Sequence, residues 1–314
     1  MRKRKHPDWL KVKIPSGKEY HRIKSLLASS RLHTICEEAK CPNIAECFGK
    51  GTATFLILGD VCTRNCTYCN VKKGTPRKID SAEPERVARI VKKLNLHYVV
   101  ITSVTRDDLP DGGADIFVQT NQKIKELSPK TKIEALIPDF KGNLDSLKKT
   151  IDAKPYVLGH NLETVERLFP TVRSQGNYRR SLNLLKEAKE IDPDIFTPLE
   201  MEVSADKGNE NTSEKRFLSL TGFTKSGIMV GMGETKEEII EVMKDLRGVG
   251  CDIFTIGQYL QPSLNHLPIT PEEFKEFQKI GEELGFLHVE SGPLVRSSYC
   301  AGEYVSNHLT PTRW

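Results

Sequence analysis

From Thr54 onward, short apolar runs alternate with segments whose apolar residues recur at helical spacing. Runs at Phe55–Leu58, Tyr98–Ser103, Lys132–Ile137, Tyr156–Leu158, Gly227–Gly231 and Ile253–Ile256 predict six strands. Between and after them, Glu83–Leu94, Ala114–Leu127, Leu144–Asp152, Tyr178–Ile191, Thr235–Val249 and Pro271–Leu284 predict amphipathic helices. Nearly continuous apolar strands separated by such helices are what parallel strands covered by helices require. Six units predict an α/β fold, a partial TIM-type (β/α)6 barrel with N-terminal and C-terminal extensions. A doubly wound sheet is the alternative, because the pattern leaves strand order open.

The same rhythm sets expected domain limits. Residues 1–52 form an N-terminal arm with one short helix at Tyr20–Ser30, residues 53–290 the barrel, and residues 291–314 a C-terminal segment. Pro198–Thr224 breaks the alternation. It is polar, turn-rich and far longer than an ordinary connection, so it is expected to be a surface insertion.

Composition narrows the class little: 38% hydrophobic and 28% charged over 314 residues is ordinary for a globular chain. No apolar run approaches the roughly 18–20 residues that cross a bilayer, and the basic start lacks the apolar stretch of a secretory signal. A cytoplasmic protein without a membrane role is expected. The net charge of +5 is concentrated in residues 1–24, where nine Lys/Arg face only Asp8 and Glu19. The body is therefore no nucleic-acid surface by charge.

Cysteine placement changes the picture most. Six of eight cysteines fall between Cys36 and Cys69, with Cys251 and Cys300 far away. Clustered thiols in a chain large enough for its own core point to metal ligation rather than disulfides. Cys62, Cys66 and Cys69 form CxxxCxxC just after the first strand, on the side where parallel α/β folds gather ligands. Three thiolates hold three corners of a cubane iron–sulfur cluster and leave one iron open. Zinc is the competing occupant, but it normally takes a fourth Cys or His.

CxxxCxxC with Tyr68 before its last cysteine, opening a βα repeat, resembles the radical S-adenosylmethionine superfamily. A further triplet, Cys36, Cys41 and Cys47 in CxxxxCxxxxxC, and the late Arg296-Ser297-Ser298-Tyr299 resemble the lipoyl synthase family within it. Thr102–Ala114, Ile133–Phe140, His160–Val165, Tyr178–Leu182, Lys225–Thr235 and Gln258–Pro262 extend the likeness over residues 6–314 except 198–224.

The resemblance implies two 4Fe–4S clusters and S-adenosylmethionine as cosubstrate. Cys62, Cys66 and Cys69 would hold the cluster that cleaves the cosubstrate to a carbon radical. Cys36, Cys41, Cys47 and a serine of RSSY would hold an auxiliary, sulfur-donating cluster. That serine is expected to be Ser298, with Ser297 the alternative. The implied reaction is sulfur insertion at C6 and C8 of an octanoyl chain carried on a lysine, using two cosubstrate molecules. Implied partners are octanoylated carrier domains (E2 subunits of 2-oxoacid dehydrogenases, the glycine cleavage H protein) and an electron donor such as ferredoxin or flavodoxin.

Around the clusters, Tyr68, Gly112, Gly113, Asn161 and Gln258 are expected to contact the cosubstrate. Arg173, Arg180 and Arg296 are candidates for carboxylate contacts. His266 is expected to be structural, and Cys251 and Cys300 to be free or buried thiols. Competing readings are a radical sulfurtransferase with another alkyl substrate, a zinc-stabilised nucleic-acid binder and an electron carrier. Six barrel repeats would be superfluous in the last.

Overall fold

The computed structural model describes residues 7–12, 15–50, 52–193, 199–203, 214–218, 222–260 and 268–302. The start of the basic arm, Gln261, Pro262, His266 and the last twelve residues lie outside this set. Ahead of the barrel come α1 (Lys18–Ser29), β1 (His33–Thr34), α2 (Ile35–Glu38) and α3 (Ile44–Gly49). The barrel opens with β2 (Thr54–Ile57), followed by two short strands, β3 (Val61–Cys62) and β4 (Lys72–Lys73), and by α4 (Glu83–Lys93). Next are β5 (Tyr98–Ser103), α5 (Ala114–Leu127), β6 (Lys132–Leu136) and α6 (Leu144–Asp152). Then come β7 (Val157–Gly159), α7 (Phe169–Val172) and α8 (Tyr178–Ile191). A hairpin of β8 (Leu199–Val203) and β9 (Glu214–Leu218) leads to β10 (Phe223–Val230) and α9 (Lys236–Gly248). The described part closes with β11 (Ile253–Gln258), α10 (Pro271–Glu283) and β12 (His288–Gly292).

The main sheet runs β1-β2-β5-β6-β7-β10-β11-β12. All neighbours are parallel except β1 on β2. Because spatial order follows chain order without reversal, the sheet is a barrel wall; a doubly wound sheet would reverse at a switch point. Six βα units are present, as the periodicity predicts, plus a seventh parallel strand, β12, that it does not. Among His288–Gly292 only Val289 is both apolar and buried, too little to register as a strand pattern.

Local chemistry explains the helices. Val87, Ala88, Ile90 and Val91 of α4 face the core, Pro84 sits in its first turn and Lys92 and Lys93 in its last, matching the dipole. Thr235 and Glu238 form a reciprocal capping box on α9, as do Thr270 and Glu273 on α10. Inside the barrel, Lys225 Nζ meets both carboxylate oxygens of Glu134 at 2.8 and 3.0 Å, and Tyr98 Oη donates to Glu134 Oε2 at 2.6 Å. Both charged side chains are fully buried, so each requires the other.

The expected insertion needs correction at both levels. Residues 199–203 and 214–218 pair as an antiparallel hairpin outside the main sheet, with Leu199 opposite Leu218. Phe223 and Thr224 belong to β10, not to the insertion. Phe223 is fully buried edge-on to Tyr156, and Thr224 N donates to Asp252 Oδ2 at 2.7 Å. Excising residues 199–221 is therefore expected to leave the urea-unfolding midpoint unchanged. Excising 198–224 removes a core aromatic and is expected to cost about 3–5 kcal/mol.

Candidate active site

The CxxxCxxC loop starts and ends in the small β3–β4 ladder, which pairs Cys62 with Lys73. Its entry turn is pinned by Glu83, whose Oε2 accepts from Leu58 N at 2.7 Å. Arg64, between Cys62 and Cys66, is almost fully buried and anchors the loop from inside. It makes a two-point contact with Asp107 (2.7 and 3.0 Å) and donates to Asp139 Oδ1 at 2.6 Å. Asp139, itself fully buried, also accepts from Arg180 at 2.7 and 3.0 Å. Burial alone would raise the Asp139 carboxyl, but Arg64 and Arg180 hold it far below the usual carboxylate range. Thr67 N and Asn65 N donate to Val172 O and Gln175 Oε1, tying the loop to the segment after β7.

The other cysteine motif is built on α2 and α3. Thr34 caps α2, accepting from Glu37 N, and places Cys36 in the buried first turn. Phe48, next to Cys47, is fully buried and packs on Tyr20 of α1. Pairing of β1 with β2 brings this motif to one edge of the barrel sheet. The RSSY segment follows β12 at the opposite edge and crosses to it. Asn43 Nδ2 donates to Leu294 O at 2.6 Å, and Tyr299 Oη donates to the Glu46 carboxylate at 3.1–3.2 Å.

All six cysteines, Ser297 and Ser298 line one cavity of about 920 Å³, at the upper end of small-molecule sites. Its inner wall is formed by side chains such as Val100, Thr102, Leu136, Met229 and Thr255 from the barrel strands. Among the described residues, neither cysteine trio has its three sulfurs all within 4.8 Å of one another. A tetrahedral zinc with bonds of about 2.3 Å would hold them about 3.8 Å apart. A cubane spreads its ligands over separate irons and does not require them to converge on one atom. Burial, with neighbouring thiols adding to it, pushes the Cys36 and Cys47 thiols up to about 12. Burial likewise lifts Cys69 to about 11 and raises Cys41 and Cys66. Bound iron would relieve this cost by favouring thiolates.

Other expected residues divide. Tyr68 and Asn161 line the cavity. Asn161 Nδ2 donates to Glu163 Oε1 at 3.1 Å, and its Oδ1 accepts from Ser297 Oγ at 3.2 Å. Arg173 also lines it, with Nη1 donating to Asn161 O at 2.6 Å and the guanidinium over Phe169. Arg296 is half-buried beside Cys41 and Glu163.

Gln258, Gly112, Gly113 and Arg180 do not line the cavity. Gln258 is fully buried and bonds to the backbone: Nε2 donates to Val230 O and Tyr259 O, and Oε1 accepts from Ile269 N. The φ of 61° and 91° at Gly112 and Gly113 make the turn into α5, and a Cβ on Gly113 would run into Leu58. Arg180 is held by Asp139.

Glu163 is the residue that sequence reasoning misses. It has φ 71°, an uncommon conformation for a non-glycine residue, fixed by Glu163 N donating to Gly227 O and Met229 N to Glu163 O. That strain aims its carboxylate into the cavity beside Arg173 and Asn161, while burial raises its pKa. Asp107 and Asp139 are missed as well; the two adjacent acids Asp107-Asp108 after β5 are their only sequence signal.

The sequence pattern of the Radical SAM superfamily matches residues 56–198, and that of the N-terminal domain of lipoyl synthase matches residues 1–41. Lipoyl synthase of Caldicellulosiruptor saccharolyticus is 52% identical over 307 residues, covering 96% of this chain and 98% of that one. Lipoyl synthase of Rubrobacter xylanophilus is 50% identical over 301 residues, covering 95% and 85%. Among solved structures, HydG, a maturase of the FeFe-hydrogenase, superposes with a TM-score of 0.52 at 14% identity. That match covers 84% of this chain and 55% of HydG, a likeness of fold. With the partial barrel, the two cysteine trios and half of all positions shared over nearly its whole length, the chain belongs to the lipoyl synthase family of the radical S-adenosylmethionine superfamily.

Proposed function

We propose that this enzyme inserts sulfur at C6 and C8 of an octanoyl chain amide-linked to a lysine of a carrier domain. The observation that carries the reading is the single cavity onto which both cysteine trios and Ser298 open. An unactivated C–H bond has no useful acidity, so an acid–base site could not start this reaction. When bound, the cluster on Cys62, Cys66 and Cys69 supplies the electron that splits S-adenosylmethionine, and the one on Cys36, Cys41 and Cys47 supplies sulfur.

The chain's own residues hold and shield these partners. Tyr68, Asn161, Glu163 and Arg173 are placed to receive the polar parts of S-adenosylmethionine, and the apolar strand faces to receive the alkyl chain and exclude water. Ser298 is the proposed fourth ligand of the sulfur-donating cluster. Ser297 is engaged with Asn161, whereas Ser298 carries no side-chain hydrogen bond among the described residues. A serine oxygen is a harder, poorer iron ligand than thiolate, which favours its displacement when sulfur leaves.

The proposal includes the division at 52/53, a C-terminal segment that starts after β12 because the expected 290/291 limit would cut that strand, octanoylated E2 and H-protein carriers, a ferredoxin or flavodoxin donor, and a cytoplasmic site of action. No helix among the described residues is long and apolar enough to cross a membrane. Anaerobic protein carrying both clusters, given reductant, S-adenosylmethionine and an octanoyl-lysine peptide, is expected to form the lipoyl peptide. Release of 5′-deoxyadenosine with no sulfur entering the peptide would refute the assignment. Cys300 lines the cavity near Cys47 but is not assigned as a cluster ligand. Cys300→Ser is expected to keep the iron content and at least half of the turnover, within about 0.4 kcal/mol of the wild-type barrier.

A further inference from the structure

We infer that Gly257 is a positioning residue: its missing side chain lets the segment carrying Ser298 lie across the barrel wall. Gly257 sits in β11, faces the cavity and is in register with Gly292 of β12. The chain turns back just after β12, with Val295 N donating to Gly292 O at 3.1 Å, and runs over β11. A Cβ at position 257 would run into the Val295 carbonyl oxygen and come within 3.0 Å of the Val295 carbonyl carbon and of Arg296 Nη1. The first two are backbone atoms, so relief requires moving the chain rather than turning a rotamer.

Beyond the packing of Ala301 on Val100 and Val157, this segment has polar ties that reach other elements. Asn43 holds Leu294, Asn161 holds Ser297 and Glu46 holds Tyr299. Asn43 and Glu46 lie between Cys41 and Cys47, so the first cysteine motif and the RSSY segment are fastened as one unit. Gly257 is where that unit meets the barrel at backbone contact. Metal ligation tolerates only tenths of an ångström, so displacing Val295 and Arg296 takes the Ser298 oxygen out of reach of the cluster. The functional consequence rests on the Ser298 assignment above; the seating of the segment does not.

The experiment compares wild-type and Gly257→Ala holoenzyme, prepared anaerobically, by amide hydrogen exchange and product analysis. Exchange over residues 293–302 is expected to rise at least ~10-fold, with β5 and α5 unchanged. S-adenosylmethionine cleavage is expected within about twofold of wild type, and lipoyl product to fall at least ~10-fold. Asn43→Ala, which leaves the barrel untouched, is expected to loosen the same residues to a lesser degree. Unchanged exchange at 293–302 overturns the inference, and so does protection lost throughout the barrel, since the role assigned is local. Ser298→Ala separates the two readings. If that variant keeps an unaltered sulfur-donating cluster, the ligand assignment fails, while raised exchange in Gly257→Ala still upholds the seat.

Discussion

Cys41→Ala is expected to abolish lipoyl product while leaving S-adenosylmethionine cleavage intact, whereas Cys66→Ala abolishes both. Cys41 and Cys66 line the same cavity but belong to motifs built on different elements, α2–α3 and the β3–β4 loop. Loss of Cys41 removes a ligand from the proposed sulfur source and leaves the trio proposed to generate the radical complete. Loss of Cys66 leaves the cosubstrate with no electron to split it. Losing an outer-sphere partner already costs roughly 10–100-fold in metal sites, so losing a ligand is expected to exceed 100-fold in product. Chromatography of 5′-deoxyadenosine beside mass spectrometry of the peptide reads both quantities in one sample. Equal loss of both products in Cys41→Ala would show that the trios do not divide the work.

Asp139→Ala is expected to destabilise the fold by about 3–5 kcal/mol and to strip iron from the second motif first. The carboxylate is fully buried and neutralises two guanidiniums, one of them Arg64 inside the cysteine loop. Its removal takes the carboxylate away from Arg180 and leaves the buried Arg64 to Asp107 alone, breaking a buried charge network. The effect has a pH signature. The folded-state pKa of Asp139 lies below its unfolded value, so its stabilisation is fully present above the ordinary carboxylate range of about 3.9. It is lost as pH falls through the folded pKa. Urea unfolding of wild type and Asp139→Asn should therefore differ most at neutral pH and converge in acid. A gap independent of pH would place the stabilisation elsewhere.

Much of this architecture is written in local pattern. The six strands and their helices follow from apolar runs and helical spacing, and Thr235 and Glu238 are recognisable as a capping box before any coordinates. Side-chain orientation is less legible. Gln258 does end a strand, but its amide turns to the backbone, and only the fold shows that Ile269 N claims its oxygen. The network around Arg64 joins residues 43 and 75 positions apart, a separation that no local pattern encodes. The hairpin is a different case. Leu199, Met201 and Val203 alternate with Glu200 and Glu202, a period of two that was legible inside a segment otherwise dominated by turn residues. Strand β12 lacks such a pattern because one of its residues alone is buried.

The central claim is that two separate clusters open on one cavity and only one of them meets S-adenosylmethionine. Mössbauer spectroscopy on protein reconstituted with isotopically enriched iron tests it directly. The account predicts about eight irons per chain in two equal four-iron populations, one shifted by the cosubstrate and one not. A single population, zinc in place of iron at either trio, or a shift shared equally by all the iron would contradict it.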